Sequence, residues 1–361
     1  MATLVVNASE ILTMIGPYDG PRAGLGKGAL GLVRDGAVLI EGGKILDSGP
    51  KAKVLAHPKA KDAAVISAEG RVVLPGFVDA HTHPVFAAPR LNDFEARLSG
   101  QSYADIALRG GGILSTVNGV RGAAEADLAA GLRHRALDFI AAGTTTIEAK
   151  SGYGLDLDNE LKLLRVMRTV AGHGPLEIVP TFLGAHAVPP ELKNQKDEFV
   201  ARVCEDMIPR VGSEKLAVFV DLFCEKGYFD VADLEKIAAA GAKAGLKLKV
   251  HAEQLSRLGS LAASLKHGAV SVDHLDCVEE DDLPELAASK TVACLVPGSN
   301  YFLGKPYPPG RRLLDSGAAV ALATDYNPGT CPCWDMRMII SIACTQMKLT
   351  TAEALVAATI N

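Results

Sequence analysis

The sequence predicts an α/β fold: a TIM-like (β/α)8 barrel joined to a small β-sandwich-like domain formed by the N-terminal segment. Three observations predict it. From Val72 onward, eight short apolar runs alternate with helix-like stretches, the pattern of a parallel sheet covered on both faces. The first 70 residues instead carry short β-rich runs broken by Gly, Pro and Asp turns. No GxGxxG joins a first strand directly to a helix and no GxxxxGKS/T segment is present, which argues against the open nucleotide-binding sheets. At roughly 100–200 residues per domain, a length of 361 residues accommodates a small domain over 1–70 and a barrel over 71–361.

In the N-terminal piece, LVVNASEILTMI, GAVLIEGGKILDSG and AAVISAEGRVV read as the strands of the small sheet unit, interrupted by a loop around PYDGPRAGLGKGALG. The barrel strands follow as VVLPGFVDA, GTTTIEA, LEIVPTFLGA, AVFVDLF, KLKVHA, AVSVDHL, TVACLVPG and AAVALATD. Between them, segments such as DNELKLLRVMRTVAG and ADLEKIAAAGAKAG show helical spacing of apolar residues. Eight such units over roughly 250 residues fit a closed barrel better than an open doubly wound sheet.

Composition narrows the function. Lys and Arg total 37 against 42 Asp and Glu, a net charge of −5, which offers no basic footprint for nucleic acid or an anionic membrane. No apolar run reaches the roughly 18–20 residues of a membrane span. The N-terminal MATLVVNASE lacks the basic region of a secretory signal. Seven cysteines, an odd number confined to the second half, indicate reduced thiols rather than a disulfide framework. The expected setting is the cytoplasm and the expected partner a small molecule. Cys331–Pro–Cys333 has no second pair to complete a four-cysteine metal site.

In a (β/α)8 barrel the chemistry lies at the C-terminal strand ends, and the polar residues gather there. Strand 1 ends in Asp79–Ala–His81–Thr–His83, strand 2 in Glu148–Ala–Lys150 followed by Ser–Gly–Tyr153, and strand 3 in His186. Strand 5 ends in His251–Ala–Glu253–Gln254, strand 6 in Asp273–His274 and strand 8 in Asp325. Five of nine histidines therefore share one rim, whereas His57, His134, His173 and His267 fall in loops or helices. His81 and His83, two apart, point to the same face of their strand. An isolated HxH is commonly a surface pair. At the end of an apolar run, with His251 and Asp325 on other strand ends, it reads as a mononuclear metal site suited to zinc or iron. His186 and His274, taken singly, also fit satisfied core histidines. Lys150 reads as the partner of a carboxylate such as Glu148, or as a carboxylated metal bridge. Gly110–Gly111–Gly112 reads as a loop or helix start.

These residues resemble a known family. LPGFVDAHTHPVF, with His251, His274 and Asp325 at later strand ends, is similar to the amidohydrolase superfamily. Within it, HTHPVFAAPRLNDFEARLSGQSYADIALRGGGILSTV, AGTTTIEAKSGYGLD, PTFLGAHAVPPE, VHAEQL and ATDYNPGT resemble the imidazolonepropionase family across nearly the whole barrel. The resemblance implies a barrel of the metal-dependent amidohydrolase type. It also implies hydrolysis of 4-imidazolone-5-propanoate to N-formimidoyl-L-glutamate in histidine catabolism. One zinc or iron ion would be held by His81, His83, His251 and Asp325, and the chain would form a homodimer. Arg90, Tyr153, His186, Gln254, Asn327, Gly329 and Thr330 would bind the substrate, and Asp325 and His274 would be catalytic. A guanidinium such as Arg90 suits the substrate carboxylate, and the backbone N–H groups of Gly329 and Thr330 offer a small anion nest.

Two positions depart from the family pattern. Many amidohydrolases carry a carboxylate three residues after the strand-5 histidine. Here Gln254 stands there, an amide that cannot act as a base. This disfavours the alternative of another cyclic amidohydrolase or deaminase acting on a small heterocycle, and it shifts proton transfer to Asp325, His274 or Glu253. Tyr326 stands before Asn327 where the family commonly has Cys. A non-catalytic scaffold would be expected to lose metal ligands, and all four positions are filled. Finally, TAEALVAATIN breaks off inside a helical pattern where relatives continue, so the strands that close the small domain are expected to be missing from this chain.

Overall fold

The computed structural model describes residues 1–16, 20–101, 105–106 and 109–361. Its centre is an eight-stranded sheet in which every strand pairs in parallel with the next: Phe77–Thr82, Thr144–Lys150, Glu177–Ala185, Phe219–Cys224, Lys247–Ala252, Ser271–His274, Val292–Leu295 and Val320–Leu322. These are barrel strands 1 to 8, each overlapping one of the eight apolar runs, but the head of the first run, Val72–Val73, pairs with Glu10–Leu12 and extends the N-terminal unit past residue 70. A parallel bridge between Thr82 and Tyr326 joins strand 1 to the chain just past strand 8 and closes the cylinder. Asp79 reinforces that seam, accepting from the Thr324 backbone N–H at 2.9 Å and its hydroxyl at 2.6 Å.

The strands are buried on both faces because helices cover the outside, and one large apolar cluster runs through sheet and helices. Helix Leu157–Ala171 buries Leu161, Leu164, Met167 and Val170, and Asp156 caps it by accepting from the Asn159 N–H at 2.8 Å. Helix Val231–Lys243 buries Leu234, Ile237 and Ala238 behind an Asp230–Asp233 capping box. Gly112 stands at the start of helix Ile113–Gly122, so the triple-glycine run is a helix start.

The N-terminal segment forms two sheets. One has four strands in the order Lys44–Pro50, Gly36–Glu41, Thr3–Val6 and Ala64–Ser67. The other has three, in the order Leu32–Arg34, Glu10–Leu12 and Val72–Val73. Leu4, Val6, Leu39 and Val54 build a separate small core. Leu12 and Met14 pack on Val356 of helix Thr351–Ala357, which ties this unit to the end of the barrel. All seven cysteines are free thiols. Among the described residues, no helix is long and apolar enough to cross a membrane.

Candidate metal centre and active site

The ends of strands 1, 5, 6 and 8 bring their polar side chains to one point. His81 Nε2 and His83 Nε2 lie 3.3 Å apart, and Asp325 Oδ1 lies 3.6 and 3.5 Å from them. His251 and His274 complete the cluster: ligand atoms of His81, His251 and His274 lie within 4.8 Å of one another, as do those of His81, His83 and Asp325. All five residues are buried.

Backbone conformation aims them. His274 and Asp325 have φ of 80° and 54°, in the left-handed region that side chains rarely adopt. Each turns its side chain inward at the point where the strand stops. Asp325 is held there by two bonds to strand 1, from its own N–H to the His81 carbonyl at 3.0 Å and from the His83 N–H to the Tyr326 carbonyl at 2.7 Å. Such strain costs of the order of 1–3 kcal/mol per residue and concentrates at functional sites.

Electrostatics prepares the cluster for a cation. Burial drives the pKa of His81, His83 and His274 well below the usual value, helped by the neighbouring Lys150 for His81, by His81 for His83 and by His251 for His274. The rings are therefore neutral and offer lone pairs. Asp273 Oδ2, an acceptor, lies 2.7 Å from His81 Nδ1, which fixes the proton on Nδ1 and frees Nε2. Burial lifts the Asp325 pKa to about 7. Three imidazoles and one carboxylate suit zinc or iron. Nitrogen and oxygen ligands at about 2.0–2.2 Å from an ion stand roughly 3.3–3.6 Å apart in tetrahedral geometry, the separation His81, His83 and Asp325 already have.

Further residues surround the cluster. The His186 ring stacks on His83 with centroids 5.2 Å apart, and Tyr153 lies 5.4 Å from His186. His186 Nδ1 bonds the Gly152 carbonyl at 2.9 Å, and burial next to His251 lowers its pKa to about 3. Gly152 has φ of +97°, and a Cβ there would meet His186 Nδ1 at 2.9 Å, so the loop requires glycine. Arg90 lies over Gly329, bonds the Thr116 hydroxyl at 3.0 Å and borders a cavity of about 640 Å³. Gln254 follows strand 5, half-buried.

Several expectations change at this level of detail. The nest at Gly329 and Thr330 is already filled: both backbone N–H groups donate to Asn327 Oδ1, at 2.9 and 2.7 Å. Asn327 in turn donates from Nδ2 to the Asp325 carbonyl at 2.6 Å, so the NPGT loop braces Asp325. Glu253 is turned away from the cluster and accepts from the Leu258 and Leu261 N–H groups at 2.7 and 3.2 Å. It caps helix Ser260–Lys266 and is not placed to move a proton at the metal centre. Lys150 takes the ion pair, lying 2.9 Å from Glu148. No cysteine joins a metal-capable grouping among the described residues.

Sequence reasoning passed over Asp221, Lys249, Glu160 and Glu225. Asp221 and Lys249 stand inside apolar strand runs, VFVDLF and KLKVHA, where a charge is conspicuous. Glu160 and Glu225 carry no such signal.

A metal-capable cluster of histidines and a carboxylate at the C-terminal mouth of a parallel barrel defines a class, and comparison with known proteins gives the same one. Residues 72–361 match the amidohydrolase family model, and the chain belongs to that family. An imidazolonepropionase of Symbiobacterium thermophilum is 45% identical, the match covering 99% of this chain and 84% of that one. That of Flavobacterium psychrophilum is 40% identical over 100% of this chain and 87% of that one. A triazine hydrolase of Arthrobacter aurescens shares the fold with a TM-score of 0.68 at 14% identity, covering 96% of this chain and 76% of that one.

Proposed function

We propose that the protein hydrolyses 4-imidazolone-5-propanoate to N-formimidoyl-L-glutamate in histidine degradation, with one zinc or iron ion held by His81, His83, His251 and Asp325. The observation that carries this reading is one histidine and carboxylate cluster linked through Asp325, Asn327 and Gly329 to the Arg90 guanidinium. Full-length relatives at 40–45% identity support it.

Held by these four residues, an ion would supply Lewis-acid polarisation of the ring carbonyl and a lowered pKa for water. Arg90 binds the propionate end through its fork of donors, with Asn327, Gly329 and Thr330 shaping that end of the site. Tyr153, His186 and Gln254 bind and orient the ring. Asp325 takes the proton of the attacking water and returns it to the ring nitrogen as the C–N bond breaks, and His274 donates to the developing oxyanion. Water supplies the oxygen that joins the carbonyl carbon, and the released nitrogen keeps the transferred proton. The resemblance further supports a cytoplasmic homodimer.

Ultraviolet loss of the imidazolone together with formation of formimidoylglutamate tests the reading. Ammonia release from a purine or pyrimidine, with the imidazolone left intact, would replace it with a deaminase.

A further inference from the structure

Behind the candidate ligands, toward the interior of the barrel, lies a cluster of charge that the reaction does not use. Lys150 Nζ is fully buried and touches carboxylates from three strands: Glu148 at 2.9 Å, Asp221 at 2.8 Å and Asp273 at 3.5 Å. Lys249, from strand 5, adds a second ammonium 3.3 Å from Asp273 and donates to the Ser271 hydroxyl at 2.6 Å. Buried ions of this kind persist only when their partners are fixed.

Two of the carboxylates touch candidate metal ligands. Asp273 Oδ2 faces both Lys150 and the Nδ1 of His81. Asp221 Oδ2 pairs with Lys150 and lies 3.0 Å from the Nδ1 of His251, close enough to pair but without hydrogen-bond alignment, while its Oδ1 accepts from the His251 backbone N–H at 3.2 Å. One ammonium thus lies behind the outer nitrogens of two imidazoles that come from opposite strands of the barrel, 1 and 5.

We propose that Lys150 is the positioning residue of the metal centre: its ammonium fixes Asp273 and Asp221, and through them turns His81 and His251 so that both rings present Nε2 to the ion. Without the ammonium, three buried carboxylates would repel one another, and the two that face histidines would lose their poses. This inference rests on the metal-dependent reading above.

The test is competition for zinc between a chelator of known affinity and the zinc-loaded protein, in wild type, Lys150→Met, Asp221→Asn/Asp273→Asn, and the triple variant. Lys150→Met is expected to release zinc at about 10–100-fold lower chelator concentration, the usual cost of losing an outer partner of a ligand. The triple variant is expected to hold zinc no more weakly than the double one, since the lysine then has no carboxylate to aim. Zinc retention by Lys150→Met within about threefold of wild type overturns the proposal. So does a loss of the same size on the Asp221→Asn/Asp273→Asn background, which marks a packing defect. If Lys150→Met does not fold, two-bond proton–nitrogen spectra of the zinc-loaded wild type decide: Nδ1–H on His81 and His251 supports the proposal, and Nε2–H on either ring overturns it. A wild-type protein that binds no metal and leaves the imidazolone intact overturns the functional reading, and this inference with it.

Discussion

Replacing Glu160 with glutamine is predicted to lower both stability and substrate affinity while leaving metal binding intact. The fully buried Glu160 carboxylate reaches from helix Leu157–Ala171 to the loop after strand 2 and accepts three backbone N–H groups there. These are Gly152 at 2.9 Å, Gly154 at 2.7 Å and Leu155 at 2.9 Å. The loop needs this hold, because Gly152 and Leu155 both adopt positive φ, 97° and 55°. Glutamine keeps one oxygen and places an NH2 where the other stood. If the oxygen serves Gly154 and Leu155, the Gly152 N–H is left buried and unpaired, at about 1–3 kcal/mol, and two charge-assisted bonds weaken by roughly 0.5–1 kcal/mol each. The sum is about 2–5 kcal/mol. At roughly 2.1 cal/mol/K per residue, 361 residues convert this to a Tm lowered by roughly 3–7 °C, read by calorimetry.

The same loop carries Tyr153, and its Gly152 carbonyl bonds His186. Misplacing one hydrogen bond worth about 1.4 kcal/mol costs tenfold, so kcat/KM for the imidazolone falls by about that factor, chiefly through KM. Glu160 makes no contact with His81, His83, His251 or Asp325, and zinc content should match wild type. A Glu160→Gln protein with unchanged Tm and unchanged KM would refute the reasoning. Loss of metal with KM preserved would show that the residue acts elsewhere.

Three further outcomes follow from the geometry. A Cβ on Gly329 would sit 1.7 Å from Arg90 Nη2, so Gly329→Ala must displace that guanidinium. The expected result is a KM raised roughly 10–100-fold, for about 1.5–3 kcal/mol of charge-assisted bonding, with little change in Tm. Asp325→Asn should cut turnover by about 10²–10⁴-fold even in excess metal, and near-normal rates with metal retained would contradict the proton-transfer role. Burial alone would raise the pKa of Glu353, but Arg311 and Thr350 outweigh it and hold it at about 2, below the usual 4.5. Its stabilising contribution is therefore complete above pH 4.5 and lost as the pH falls toward 2. The unscreened ceiling is about 3 kcal/mol, and the partial exposure of Arg311 reduces it to roughly 1–2 kcal/mol. At pH 3, still above the folded pKa, roughly 60% of this contribution is gone, so denaturant titrations at pH 6 and pH 3 should show wild type losing about 0.6–1.2 kcal/mol more stability than Glu353→Gln.

The barrel was legible because each strand is buried on both faces and so appears as an unbroken apolar run ending in a polar residue. VDAHTH, KVHA, VDH and LATD announce both a strand and what stands at its mouth. The partners of those residues were not legible. Hydropathy shows that Lys150 is charged but not that it faces Asp221 and Asp273, 71 and 123 residues away. Glu160 falls in the first turn of an amphipathic helix, where an acid ordinarily favours the helix dipole, and only the path of the 152–155 loop reveals its other role. Glu253 illustrates the converse error. Its place beside His251 suggested proton transfer, but a φ of 51° turns it into a helix cap. Strand periodicity cannot foresee such a reversal, because it assumes extended backbone.

The same reversal at His274 and Asp325 explains why so many acids line this rim. Positive φ at two residues of the site costs a few kcal/mol, and a strand end left to itself would relax. Four stretches of backbone around the site are instead tied by carboxylates. Asp79 ties Thr324, Asp93 ties Gly112, Glu160 ties residues 152–155, and Glu225 ties Leu255. A carboxylate serves this purpose better than a neutral side chain because its two oxygens accept several N–H groups at once without offering a competing donor. The acids of the rim thus divide by what they face. Asp325 faces the ring nitrogens of His81 and His83, Asp221 and Asp273 face the outer nitrogens of His251 and His81, Glu148 faces Lys150, and Asp79, Asp93, Glu160 and Glu225 face backbone N–H groups. Counting acids in the sequence would therefore overstate the ligands severalfold, and the direction of each carboxylate separates the metal centre from the scaffold that holds it in shape.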